Sequence, residues 1–206
     1  MELLVIRHGE STATVQDRHE GPADFPLSER GHQQAYQLSR FLYREHPLDA
    51  ILSSPLLRAT STAETIAEPL KLQVQIDADL SDRDNGKLSG MLRADAMVQF
   101  PYPPEGRKYH ESLYGGESEL DLRHRVERFF ARLCQHPPGR RVGIVTHGPV
   151  ISMLFQAFLN LPNDSGIYLS TADAGVHFWH LNDRYRQIIY NNYQGHLGSP
   201  PKASDP

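Results

Sequence analysis

The 206 residues are 39% hydrophobic and 22% charged, and they carry a formal net charge of −4. That length suits one domain with a single large core that needs neither disulfide nor metal. The acidic balance and lack of a basic run argue against a protein that tracks a nucleic-acid backbone, and a lone cysteine, Cys134, allows no intrachain disulfide and favours a reducing compartment.

The first apolar run, Leu3–Ile6, reads as a buried strand. It ends in Arg7, His8 and Gly9, far short of a secretory or membrane segment, so a cytoplasmic location is expected. Residues 28–45 place Ala35, Leu38, Phe41 and Leu42 on one face of a helix. A second strand, Ala50–Ser53, leads to Ser54 and Pro55, read as the cap and first position of another helix with Arg58 in its first turn. Val74–Ile76 is a third strand. Residues 82–117, rich in proline and glycine towards Gly116, read as a flap over the sheet. Ser118 and Asp121 signal the start of a helix over 118–134 that aligns Leu122, Val126, Phe129, Phe130 and Leu133.

A fourth strand, Val142–Thr146, runs into His147, Gly148 and Pro149, with Pro149 at a helix start. Val176–Leu181 and Gln187–Tyr190, joined by "NDRY", form a hairpin. Residues 194–206 read as a disordered tail. The alternation predicts an α/β fold, a three-layer α/β/α sandwich whose mostly parallel sheet has one antiparallel strand, in a single domain over residues 1–193.

Two strands share one oddity: each delivers a histidine followed by a glycine at its carboxyl end. Ligands of open parallel sheets bind there, so His8 and His147 are expected side by side. Two helix starts, Arg7 and Arg58 add positive charge, and guanidiniums fork onto phosphate oxygens. The implied ligand is a phosphate.

At that point "RHGES", "DFPLSERG", "SSPLLRATSTAE" and "VTHG", in this order over residues 3–160, resemble the histidine phosphatase superfamily in its phosphoglycerate mutase-like branch. The resemblance implies a metal-independent phosphomonoesterase without cofactor. His8 would be the nucleophile that becomes phosphorylated, with Arg7, Arg58 and His147 around the phosphate. Two fixed cations would keep His8 unprotonated. The family's acid, usually a glutamate, aligns with Asp82 in "LSDRDNG", one methylene shorter; Asp84 is the rival, and Glu10 and Glu117 are weaker candidates. Thr14 stands where the family often has asparagine, and Ser11 where it commonly has threonine. With Gly21, Gly148 and Arg93 added, the substrate-binding set is Arg7, Ser11, Thr14, Gly21, Arg58, Arg93, His147 and Gly148.

His177 and His180, three apart in a strand, face opposite ways and cannot share a metal. Neither a His-Glu-x-x-His nor a paired-cysteine pattern occurs, so no metal site is expected. The expected partner is a small phosphorylated substrate, not nucleic acid or membrane. Two other readings stay open. One is a mutase that returns the phosphoryl group to a second hydroxyl, with Arg93 where a mutase has lysine. The other is a noncatalytic phosphate-binding scaffold, favoured only by aspartate at position 82.

Overall fold

The computed structural model describes residues 1–104 and 106–198. Its six-stranded sheet comprises β1 (Glu2–Arg7), β2 (Ala50–Ser53), β3 (Val74–Ile76), β4 (Arg141–Thr146), β5 (Val176–Leu181) and β6 (Arg186–Tyr193). The strand order is β3-β2-β4-β1-β5-β6. The first four in that order run parallel, and β5 is antiparallel to both of its neighbours. It is therefore the one antiparallel strand of the sheet.

Among the described residues, six α-helices accompany the sheet: α1 (Thr12–Val15), α2 (Glu29–Glu45), α3 (Leu57–Leu70), α4 (Arg93–Gln99), α5 (Glu119–Gln135) and α6 (Gly148–Leu159). Side chains alternate across a strand, so β1 feeds two cores. Leu3 and Val5 join Leu122, Val126 and Phe129 of α5 and Ile151, Leu154 and Phe158 of α6. Leu4 and Ile6 join Leu38 and Leu42 of α2 and Ala59, Ala63 and Ile66 of α3. Both faces of β1 are covered, which is why its run is apolar throughout. Each fully buried Leu or Ile contributes about 1.5–3 kcal/mol relative to exposure. Among the described residues, no helix is long and apolar enough to cross a membrane.

The caps of the two long helices follow their sequence signals. The Ser28 side chain accepts from Gly31 N at the start of α2, and Ser118 and Asp121 form a reciprocal capping box at α5. The start of α3 differs from expectation. It begins at Leu57, two residues after Pro55, and its cap residue Leu56 offers no side chain. The Ser54 hydroxyl accepts from Leu56 N at 3.3 Å, just ahead of the helix, and also meets His147, as described below. Strand β6 also runs three residues past Tyr190, because Asn191 bonds inward to His177 and Trp179 and keeps the ladder going.

Residues 82–117 carry a 3-10 turn (Gly86–Leu88) and α4. They fasten to the loop after α1 through Gly90 N–His19 O, His19 N–Met91 O and Arg93 N–Asp17 O. Gln194 to Gly198, expected in a disordered tail, instead include a 3-10 turn at Gly195–Leu197 that lays His196 on Phe41 of α2, ring centroids 5.5 Å apart. The rest of that expectation lies outside the described residues.

Candidate active site

Three adjacent strands end together. Strands β1 and β4 pair with Arg7 opposite Thr146, and β4 and β2 with Val145 opposite Ser53. The next residues, His8, His147 and Ser54, therefore emerge side by side at the carboxyl edge. The two imidazoles are buried, with ring centroids 5.0 Å apart. His8 Nδ1 donates to Gly9 O at 2.7 Å. A carbonyl only accepts, so this bond leaves the proton on Nδ1 and a lone pair on Nε2. His147 Nε2 meets Ser54 Oγ at 2.8 Å, and its Nδ1 lies 3.9 Å from Asp82 Oδ2.

The Gly9–Glu10 backbone is clamped behind His8. Gly9 N donates to Thr62 Oγ1 of α3, Ser28 N donates to Glu10 O, and Glu10 N donates to Gln34 Oε1 of α2. The approach to α2 is so close that a Cβ on Gly31 would stand 2.0 Å from Glu10 O. From the other side, a Cβ on Gly9 would stand 2.6 Å from Gly31 O, which explains why the strand runs into a glycine.

Arg58 is completely buried. Its fork donates to Ala23 O (3.0 Å), Gly21 O (2.8 Å) and Asp82 Oδ2 (3.1 Å). Gly21 itself adopts a left-handed φ of +57°, and a side chain there would press on Ser89 and Asn85. Arg7 is held from the other side by Thr171 O (2.7 Å) and Asp173 Oδ1 (3.0 Å). Three buried nitrogens of this group, Arg7 Nε, Arg58 Nε and His147 Nδ1, find no hydrogen-bond partner among the described residues. Leaving one such group unpaired costs about 1–3 kcal/mol.

The carboxylates sort themselves by position. Asp82 is buried against Arg58 and accepts from Arg83 N at 2.8 Å, and the shorter side chain still comes within 3.9 Å of His147. Asp84 is exposed and accepts from Gly86 N. Glu117 is gripped by Arg125 at 2.7 and 3.0 Å, and Glu10 accepts from Ser28 Oγ at the start of α2. One carboxylate escaped sequence reasoning. Glu20, in an irregular loop that no periodicity marks, lies 3.9 Å from His8 Nε2 and 3.4 Å from Arg58 Nε, and it accepts from Ser11 Oγ at 2.5 Å. The helpers Thr171 and Asp173 carry no signal of their own either, and Ser54 and Thr62 lie within "SSPLLRATSTAE" without a site role being read for them. Their roles come from pairing across distant elements.

The remaining expected residues divide. Ser11 is in the cluster, and Gly148 opens α6 directly after His147. Thr14 is exposed, and its backbone N–H caps onto Ser11 Oγ. Arg93 stands apart from the cluster: its side chain is 54% exposed and pairs with Asp17 at 3.3 Å.

Burial first, then Arg58 and Arg7, push His8 down to about 3, against the opposing pull of Glu20. Burial thus outweighs the two cations to which the sequence assigned the effect. His147 is likewise held well below the ordinary imidazole value, by burial and then by His8, Arg58 and Arg7. Burial raises Asp82, Arg58 opposes it and Glu20 reinforces it. The arrangement is a buried neutral imidazole with a lone pair on Nε2, two guanidiniums beside it that each keep one nitrogen without a hydrogen bond, and a carboxyl group inclined to hold a proton.

The family model of the histidine phosphatase superfamily (branch 1) matches residues 3–193. The chain belongs to that superfamily. This histidine phosphatase is 32% identical to phosphoserine phosphatase 1 of Hydrogenobacter thermophilus over 203 residues, 96% of this chain and 95% of the relative. It is 30% identical to the adenosylcobalamin/alpha-ribazole phosphatase of Escherichia coli over 80% of its own length and 82% of the relative's. Among solved structures, a mycobacterial glucosyl-3-phosphoglycerate phosphatase with VO3 superposes with a TM-score of 0.81 at 28% identity, covering 94% of this chain and 99% of that one. The alpha-ribazole phosphatase of Shigella flexneri gives 0.82 at 28%, covering 94% and 96%. The protein is a phosphatase.

Proposed function

We propose that this histidine phosphatase hydrolyses a phosphate monoester through a phosphohistidine on His8, without a metal. The observation that carries the reading is the set of three buried nitrogens without a hydrogen-bond partner among the described residues, on Arg7, Arg58 and His147, beside the lone pair of His8 Nε2. With Ser54 donating to Nε2 of His147, its Nδ1 carries a proton and completes the set of donors.

His8 Nε2 attacks phosphorus, and the bond from phosphorus to the alcohol oxygen breaks. Asp82 gives that oxygen its proton. In the second half Asp82 takes a proton from water, whose oxygen attacks phosphorus. The P–N bond breaks, and inorganic phosphate leaves. The donors take up the charge on the transferring oxygens, each contributing about 2.7–4 kcal/mol to the transition state.

Relatives named for phosphoserine, alpha-ribazole and glucosyl-3-phosphoglycerate phosphatases support a small phosphorylated metabolite as substrate. The mutase reading loses its particular support, since Arg93 is engaged with Asp17. The scaffold reading rested on the shorter acid, and the Arg58–Asp82 contact weakens it. We take residues 82–117 as the flap of this single-domain enzyme and the cytoplasm as its location.

The test is hydrolysis of p-nitrophenyl phosphate in EDTA. Activity should persist there and vanish in His8→Ala, and rapid quenching should trap an acid-labile phosphoryl group on His8. Asp82→Asn should slow a sugar phosphate at least tenfold more than p-nitrophenyl phosphate, whose leaving group needs little protonation. Equal slowing of the two removes Asp82 from the role, and the same differential in Asp84→Asn transfers it.

A further inference from the structure

The proposed phosphate cradle contains an anion of its own. The Glu20 carboxylate accepts from Ser11 Oγ, lies 3.4 Å from Arg58 Nε, and faces the attacking nitrogen of His8 at 3.9 Å. Its side chain is only 13% exposed. The other acidic groups nearby are each committed elsewhere: Asp82 to Arg58 and Arg83 N, Asp173 to Arg7. Among the described residues, Glu20 is the carboxylate set against the nucleophile, and it draws on two groups, Ser11 and Arg58, that a phosphoryl group needs. A bound phosphate dianion at His8 Nε2 would meet this like charge across a few ångströms of poorly solvated space, where charges interact far more strongly than in water.

We propose that Glu20 is a resident counter-anion of the cradle, which competes with phosphate for Ser11 and Arg58 and thereby speeds the departure of inorganic phosphate. The inference rests on the phosphohistidine reading and adds a positioning residue to it. While the carboxylate stays put, it neutralises Arg58 and keeps Ser11 ordered. When a phosphoryl group arrives, the carboxylate gives way or takes up a proton, and after hydrolysis it reclaims both partners. Binding of product is weakened by the free energy of that exchange.

Glu20→Gln tests the idea, since the amide keeps the size and an acceptor for Ser11 but loses the charge. Calorimetric titration with inorganic phosphate should give a Kd at least tenfold lower than wild type. Product inhibition by phosphate should strengthen to match, and the KM for p-nitrophenyl phosphate should fall. A purely structural role predicts unchanged or weaker phosphate binding in Glu20→Gln, and that result overturns the proposal. Glu20→Ala gives the same reading if the amide variant does not fold. Arg58→Ala separates this inference from its parent. Wild-type phosphate binding that is lost in Arg58→Ala, with no tightening in Glu20→Gln, removes only the role of Glu20. Wild-type protein that binds no phosphate, or binding that survives Arg58→Ala, removes the parent reading as well.

Discussion

Replacing Gly31 with alanine probes how the nucleophile is held, because Gly31 touches neither histidine. A Cβ there would lie 2.0 Å from Glu10 O and 3.0 Å from Glu10 C, and both are backbone atoms with no rotamer to escape into. A Cβ essentially never approaches another heavy atom within 3.0 Å, so the segment must retreat by about 1 Å from α2. The retreat strains the bonds from Ser28 N to Glu10 O and from Gly9 N to Thr62 Oγ1. Overpacking of this kind costs about 1–3 kcal/mol, and a protein of this size loses about 2–4 °C of Tm per kcal/mol. His8 is covalently next to Gly9, and a misplacement of about 1 Å costs on the order of a hundredfold in rate. Thermal unfolding and kcat/KM on p-nitrophenyl phosphate measure both effects. A Gly31→Ala protein with wild-type kcat/KM would refute the claim that this backbone contact positions His8.

Other consequences can be measured independently. Arg58→Lys keeps the charge but loses the fork that spans Gly21 O, Ala23 O and Asp82. Its kcat/KM should fall about 10²–10³-fold; a loss under threefold would show that charge alone suffices. The raised Asp82 acts as a donor only while protonated, so kcat/KM for alkyl phosphates should decline as pH rises through its pKa, and this limb should disappear in Asp82→Asn. His177 is buried between Thr171 and Asn191 and held at about 4 by burial, against about 6.5 for a free imidazole. The unfolded chain then binds the extra proton first. Stability should therefore fall as pH drops from about 6.5 to 4, by about 3 kcal/mol from this residue. Urea midpoints of His177→Gln should slope less steeply over that window, and an unchanged slope would exclude the assignment.

How much of this was legible depends on distance along the chain. The strands Ala50–Ser53, Val74–Ile76 and Val176–Leu181 fall where β-branched runs place them, and Ser118 with Asp121 marks the first residue of α5. These are local signals. The convergence of His8 and His147 was also legible, because each ends a buried strand at the same edge. Glu20 was not. It reaches the site from a loop without periodicity, and only the fold reveals its neighbour His8. Ser54 is legible only in part: a serine before proline reads as a cap, and its hydroxyl does accept from Leu56 N, but its second partner His147 is 93 residues away. Arg93 stands where the resemblance implies a mutase lysine, whereas the actual path of α4 turns it towards Asp17.

The pairing of β1 with β4 couples catalysis to folding more tightly than stability alone requires. A slip of one residue between these strands would shift His8 about 3.3 Å along the sheet and turn its side chain to the opposite layer. Leu3 and Leu4 would trade cores at the same moment. A misthreaded chain could thus remain largely helical and compact while making no product, so specific activity counts correctly threaded molecules in a way that circular dichroism does not.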